Sequence, residues 1–454
     1  MSADMFDRFL TSSPACVMAR ATIEKMFSPD MANSLFLANV KKQYERELLF
    51  STVFAAMTLV ATRTTKSLHG SYVHLGQSIQ VSAKSLYNKV NGVESSVCRA
   101  LVRHSADTAH ELVKNWTRRM EGIEGYQLKV IDGNHISGTE HRLKELRDEP
   151  GAALPGQSVA VLMPELGLIE DLILTEDAYV QEIQLLGPIV ERLRLRDLIV
   201  ADRHYCTSNF LFNIIDRQAF FVIRQHAAHL RWKPVGELKE MGRSETGQLF
   251  EQEMELTHPQ TGETKRVRRI TIKLDKPTRD KETEIHIITN LPESDATAEK
   301  VAELYRKRWT IETAFKEMTT TLRCELKTLG HPQAALFSFS VAAVCFNVLS
   351  VIVAALQHVH VKELETGTSY YALADEISGT YRGMMIALPE ETWLPFGAMN
   401  IPELSDQLLA WARLAKPDRF RKHVRSSTAR KKRIYAPRKH VATSRVLAAK
   451  KGKT

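Results

Sequence analysis

VIDGNHI, residues 130–136, decides how this 454-residue chain folds. A β-prone run (Leu128, Val130, Ile131) ends in one acid, Asp132, and Gly133 follows at once. The pattern returns in DLIVADRHYC, where Leu198, Ile199 and Val200 lead to Asp202. Short apolar runs of this kind read as strands buried on both faces, each delivering its last side chain to the carboxyl edge of a sheet. The fold class is therefore α/β, with acids gathered along one edge. For either Asp alone, a cap or turn role is the other reading.

A third acid lies in YRKRWTIETAFKEM, Tyr305 to Met318. At 3.6 residues per turn, Leu304, Ile311, Phe315 and Leu322 make an apolar face. Tyr305, Arg308, Glu312 and Lys316 fall in an adjoining stripe. Glu312 thus sits among cations and a phenol at the margin of a buried face, although a solvated, ion-paired helix would show the same spacing. Strand, strand and helix, each supplying one carboxylate, make a hard-oxygen donor set for two Mg²⁺ or Mn²⁺ ions. Such a pair, about 3.5–4 Å apart, activates an attacking oxygen and stabilises a leaving one.

These residues resemble a family. Asp132, Asp202 and Glu312 look like the DDE triad of bacterial insertion-sequence transposases with a ribonuclease-H-like core. From ITNLPES at Ile288 through Glu312, the chain is similar to the group marked by Tyr-x2-Arg-x3-Glu-x6-Lys, with Tyr305, Arg308 and Glu312 in register. Thr319 stands where the signature lysine belongs, and Lys316 lies one turn earlier on the same face. The resemblance spans roughly Tyr126 to His358. It implies metal-dependent cleavage at transposon ends and strand transfer into target DNA, with Asp132, Asp202 and Glu312 holding two Mg²⁺ or Mn²⁺ ions. It further implies phosphate contacts by Tyr305, Arg308, Lys316 and Arg203, a homodimer in the synaptic complex, and a bacterial cytoplasmic protein that joins the nucleoid when bound to DNA.

Three other readings compete. A nuclease of the same fold would cleave without joining, and a silent DNA-binding descendant would act as a repressor. Gly133-Asn134-His135, with His204, resembles the GNH element of metallophosphoesterases. Against that, Ile136 stands where an acid usually follows, and no Asp-x-His or Gly-Asp-x-x-Asp partner lies upstream.

Net charge is +9, but Arg419 to Thr454 holds 14 Lys or Arg and no acid, so the preceding 418 residues carry a net −5. Arg430, Lys431, Lys432 and Arg433, followed by Arg438 and Lys439, suit a flexible arm on a phosphate backbone or a solubilising tail. Five scattered cysteines form no CxxC, which points to a reducing compartment without disulfides or a zinc site. Ala334 to Leu356 is uncharged and long enough to span a bilayer. Its Ser338, Ser340, Asn347 and Ser350, and its lack of flanking belts, make it a buried core helix, so no membrane partner is expected.

The regions follow in order. Residues 1–115 are helical and DNA-binding, with a helix-turn-helix outline whose second helix, from Glu94 past Arg103, could enter a major groove. The core's first part spans 116–230, with strands at Ser158 to Met163 and Leu166 to Leu174 and a helix over Ala178 to Leu193. A β-rich insertion at 231–290 is also present in the group resembled, which implies that Trp232 or nearby basic residues face DNA; a merely structural subdomain is the other reading. The core resumes over 291–360, followed by a helical region (361–418) and the basic tail (419–454). The fold expected is thus a ribonuclease-H-like mixed sheet with flanking helices, interrupted by that insertion, with helical terminal regions.

Overall fold

The computed structural model describes residues 2–43, 47–76, 79–116, 122–226, 230–423 and 440–451. Five strands carry two of the acids: β1 (Gln127–His135), β2 (Gln157–Met163), β3 (Leu168–Thr175), β4 (Asp197–Ala201) and β5 (Phe220–Arg224). They lie in the order β3-β2-β1-β4-β5. β2 is antiparallel to β1 and β3, whereas β4 is parallel to both β1 and β5. This is the ribonuclease-H-like arrangement. Every residue of β2 and β4 is buried, which is why they read as unbroken apolar runs.

The expected insertion is not a separate body. It adds β6 (Arg231–Pro234), β7 (Lys239–Ser244), β8 (Gly247–Thr257), β9 (Thr264–Leu274) and β10 (Glu284–Thr289) to the same sheet. β10 pairs antiparallel with β5, matching Ile288 to Ile223, and β9, β8 and β6 follow outward with β7 also on β8. Pro234 sits in the outermost strand, where a missing N–H breaks no ladder.

Helices cover the sheet. α1 (Ser95–Val113) packs on β3 and on the long helix α5 (Pro332–Val359); between them in sequence come α2 (Ser208–Asp216), α3 (Ala298–Arg306) and α4 (Trp309–Thr321). α5 is long and apolar enough to cross a membrane, yet its most apolar stretch is buried throughout. Its Asn347 side chain accepts from the Ile169 N–H at 2.8 Å and donates to the Ile169 carbonyl at 3.0 Å, bonding the edge strand as a further strand would. A sheet edge that would otherwise invite another chain is thereby closed.

Two expectations change. The helix over Ala178 to Leu193 is instead a 3₁₀ turn (Glu182–Leu185) and a single turn (Gly187–Val190), because Gly187-Pro188 interrupts the backbone bonds. The helix-turn-helix outline forms, and its second helix, α1, buries Val97, Leu101, Val102 and Ala109. The basic segment is docked at its far end: His440–Ala442 pairs in parallel with Ala152–Leu154, and Arg445 of the following helix holds Asp177 at 2.8 Å. Arg430, Lys431, Lys432 and Arg433 lie outside the described residues.

Candidate active site

Asp132 is not the last residue of its strand. β1 continues to His135 beside β2, but its parallel pairing with β4 ends at Val130 and Val200. Asp132 therefore projects where the central parallel pair has just stopped. Asp202 immediately follows β4, and its carboxylate accepts the Arg203 N–H at 2.5 Å, capping a 3₁₀ turn. Both acids reach the same carboxyl edge, as their sequence context requires.

Tyr305 to Met318 does not form one helix. α3 ends at Arg306, and α4 begins at Trp309. The Thr310 hydroxyl donates to the Lys307 carbonyl at 2.7 Å and the Thr310 N–H takes the same oxygen at 2.9 Å, tightening the turn. The predicted stripe survives the break: Tyr305 and Arg308 are buried, Glu312 is partly exposed and Lys316 is exposed. Leu304, Ile311 and Leu322 are buried as the apolar face.

Arg308 joins Asp132 to Glu312 and feels the charge of Asp202. Its Nη1 lies 3.1 Å from Glu312 and 3.7 Å from Asp132. Burial works against the guanidinium charge, but Tyr305, Asp202, Asp132 and Glu312 together outweigh it and raise the pKa. Burial also pushes the Asp132 carboxyl up to about 6; Arg308 and the Gly133 N–H pull it down, while Glu182 and Glu312 push it further up. Asp132 is thus a carboxylate short of positive charge. Burial, then the Asp202 charge, raises the Tyr305 phenol, which bonds to Arg308.

The remaining predicted contacts are placed differently. Arg203 points to the insertion, bonding Glu282 at 3.3 Å, and Arg224 holds the same carboxylate at 2.6 Å. Lys316 and Thr319 lie exposed past Glu312 on α4. His204 stands 4.0 Å from Asp202 and lines, with His135 and Glu182, a cavity of about 820 Å³ beside the acids. Glu182 and Tyr205 escaped the sequence reading: Glu182 lies in a stretch that reads as an ordinary helix, and nothing in its spacing links it to Asp132.

Among the described residues, no three His, Cys, Asp or Glu side chains stand close enough to hold one metal ion. The donor chemistry nevertheless fits hard divalent cations, because Asp132 and Glu312 face the same guanidinium and Asp132 is pushed up by burial and like charge. Arg308 occupies the gap between Asp132 and Glu312.

Asp132 and Glu312 thus share a buried guanidinium at the sheet edge that Asp202 also reaches. Residues 124–346 match the family described as the transposase DDE domain, which supports a DDE transposase of an insertion-sequence type. No curated protein matches it.

Proposed function

We propose that this chain cleaves DNA at the ends of an insertion sequence and joins the freed ends to target DNA. The observation that carries this is that Arg308 joins Asp132 to Glu312 and feels the charge of Asp202, inside a matched transposase domain. Asp132, Asp202 and Glu312 would hold two Mg²⁺ or Mn²⁺ ions, which neutralise charge on the oxygens around phosphorus.

The chain's own residues orient the reaction. Arg308 donates to a non-bridging phosphate oxygen, an exchange that frees Asp132 and Glu312 from its guanidinium. Tyr305, bonded to Arg308, fixes the fork's direction. Water attacks phosphorus, and the 3′-oxygen leaves as a hydroxyl at the element's end. That hydroxyl then attacks a target phosphodiester, forming one P–O bond as the target's 3′-oxygen leaves. Lys316, and the basic run at Arg430 to Arg433, add attraction for the DNA backbone. Two copies are needed to bring two ends together.

The test is incubation of the purified chain with Mg²⁺ and duplexes bearing the inverted repeats that flank its coding region. Cleavage followed by joining supports the proposal. Cleavage without joining indicates a nuclease, and binding alone a repressor; either outcome overturns it.

A further inference from the structure

The cavity beside the acids has a carboxylate that the triad does not use. Glu182 lies in the segment between β3 and β4, on the cavity wall it shares with His135 and His204. The Tyr205 hydroxyl donates to its Oε2 at 2.6 Å, and Tyr205 closes the 3₁₀ turn that Asp202 caps. Its other oxygen presses on β1: a Cβ placed on Gly133, the residue after Asp132, would lie 1.9 Å from Oε1. A side chain at 133 would push the end of Glu182 out of this position. Glu182 therefore touches the neighbourhoods of both strand acids at once.

We propose that Glu182 is a positioning residue, which ties the Asp132–Gly133 backbone to the Asp202 turn through Tyr205 and so sets the spacing of the two strand acids. Its own segment is held firmly. The Gln157 side chain donates to the Val180 carbonyl, and Asp177 accepts the Tyr179 N–H at 3.0 Å. Arg445 grips Asp177, and the Tyr179 hydroxyl donates to the His440 carbonyl at 2.5 Å. These bonds keep Glu182 in place although its segment is not a regular helix. The acid at 182 also weighs on Asp132 through like charge, which the Tyr205 donor moderates by engaging one oxygen.

This inference rests on the proposed role of the triad, and its test separates the two. Mn²⁺ binding to the full chain is measured by the loss of the free-ion resonance signal, with thermal unfolding in parallel. Asp132→Asn should abolish the binding. Glu182→Ala should weaken it about tenfold, the scale of removing a residue that orients a ligand, without lowering the unfolding temperature. Tyr205→Phe should weaken it similarly, with little further loss in the double variant. Glu182→Gln, which keeps an acceptor for Tyr205, should restore most of the affinity. Unchanged affinity in Glu182→Ala, or a Gln variant as weak as Ala, would overturn the positioning role while leaving the triad intact. Wild-type binding that Asp132→Asn does not alter would overturn the triad's role, and this inference with it.

Discussion

The two halves of the ten-stranded sheet use charge in opposite ways. In β1 to β5 the strands are enclosed, and the few ionic groups they carry are buried and crowded: Lys129 pairs with Glu170 at 2.9 Å and Asp197 at 3.0 Å, while Asp132 shares Arg308 with Glu312. In β6 to β10 burial alternates only in places, and pairs such as Arg266–Glu253 and Arg243–Asp275 lie in water, with Arg268–Glu251 the buried exception. Charge is costly to bury and nearly neutral at a surface. The first half therefore stores electrostatic tension.

If that contrast holds, Asp132→Asn, Asp202→Asn and Glu312→Gln each lower DNA cleavage by on the order of 10⁴-fold, the scale of residues that act as a unit, yet leave gel-shift affinity for end DNA nearly unchanged. Parallel loss of binding would break the comparison. Arg308→Ala should lower cleavage by about 10²–10³-fold, as removal of a preorganised donor does, with the effect in kcat.

Stability sharpens the contrast. A carboxyl pKa raised from 3.8 to about 6 means that the folded chain keeps a proton that the unfolded chain releases. Ionising Asp132 thus removes stability as pH rises through that window, and the full cost is present at pH 7. Asp132→Asn should raise stability at pH 7 by up to about 3 kcal/mol, and the gain should vanish below pH 4 in denaturant titrations. In the outer half, Trp232→Ala, which removes the ring beneath Arg269, should weaken end-DNA binding about tenfold, or ~1.4 kcal/mol, with the cleavage rate at saturation unchanged. Glu253→Gln, at an exposed pair, should move stability by less than about 0.5 kcal/mol.

Sequence reveals the inner half best because burial on both faces leaves unbroken apolar runs. SVAVLM and DLIVA announced β2 and β4, and the acids next to β-prone runs announced Asp132 and Asp202. The stripe from Tyr305 to Lys316 was legible for the same reason, although Thr310 splits its helix through a back-bond that no periodicity records. Glu182 was hidden because its link to Gly133 and Tyr205 is made across the fold. The continuity of β10 with β5 was equally hidden, since alternation identifies a strand but not its neighbour.

Arg268 of β9 binds Glu251 through two nitrogens, and its Nη1 also donates to the Leu291 and Ala296 carbonyls, just ahead of α3. The outer strands and the run-up to Tyr305 are consequently one mechanical linkage. A displacement of β9 would therefore be carried by this side chain, together with the packing of α3 on the outer strands, toward the turn where Arg308 sits.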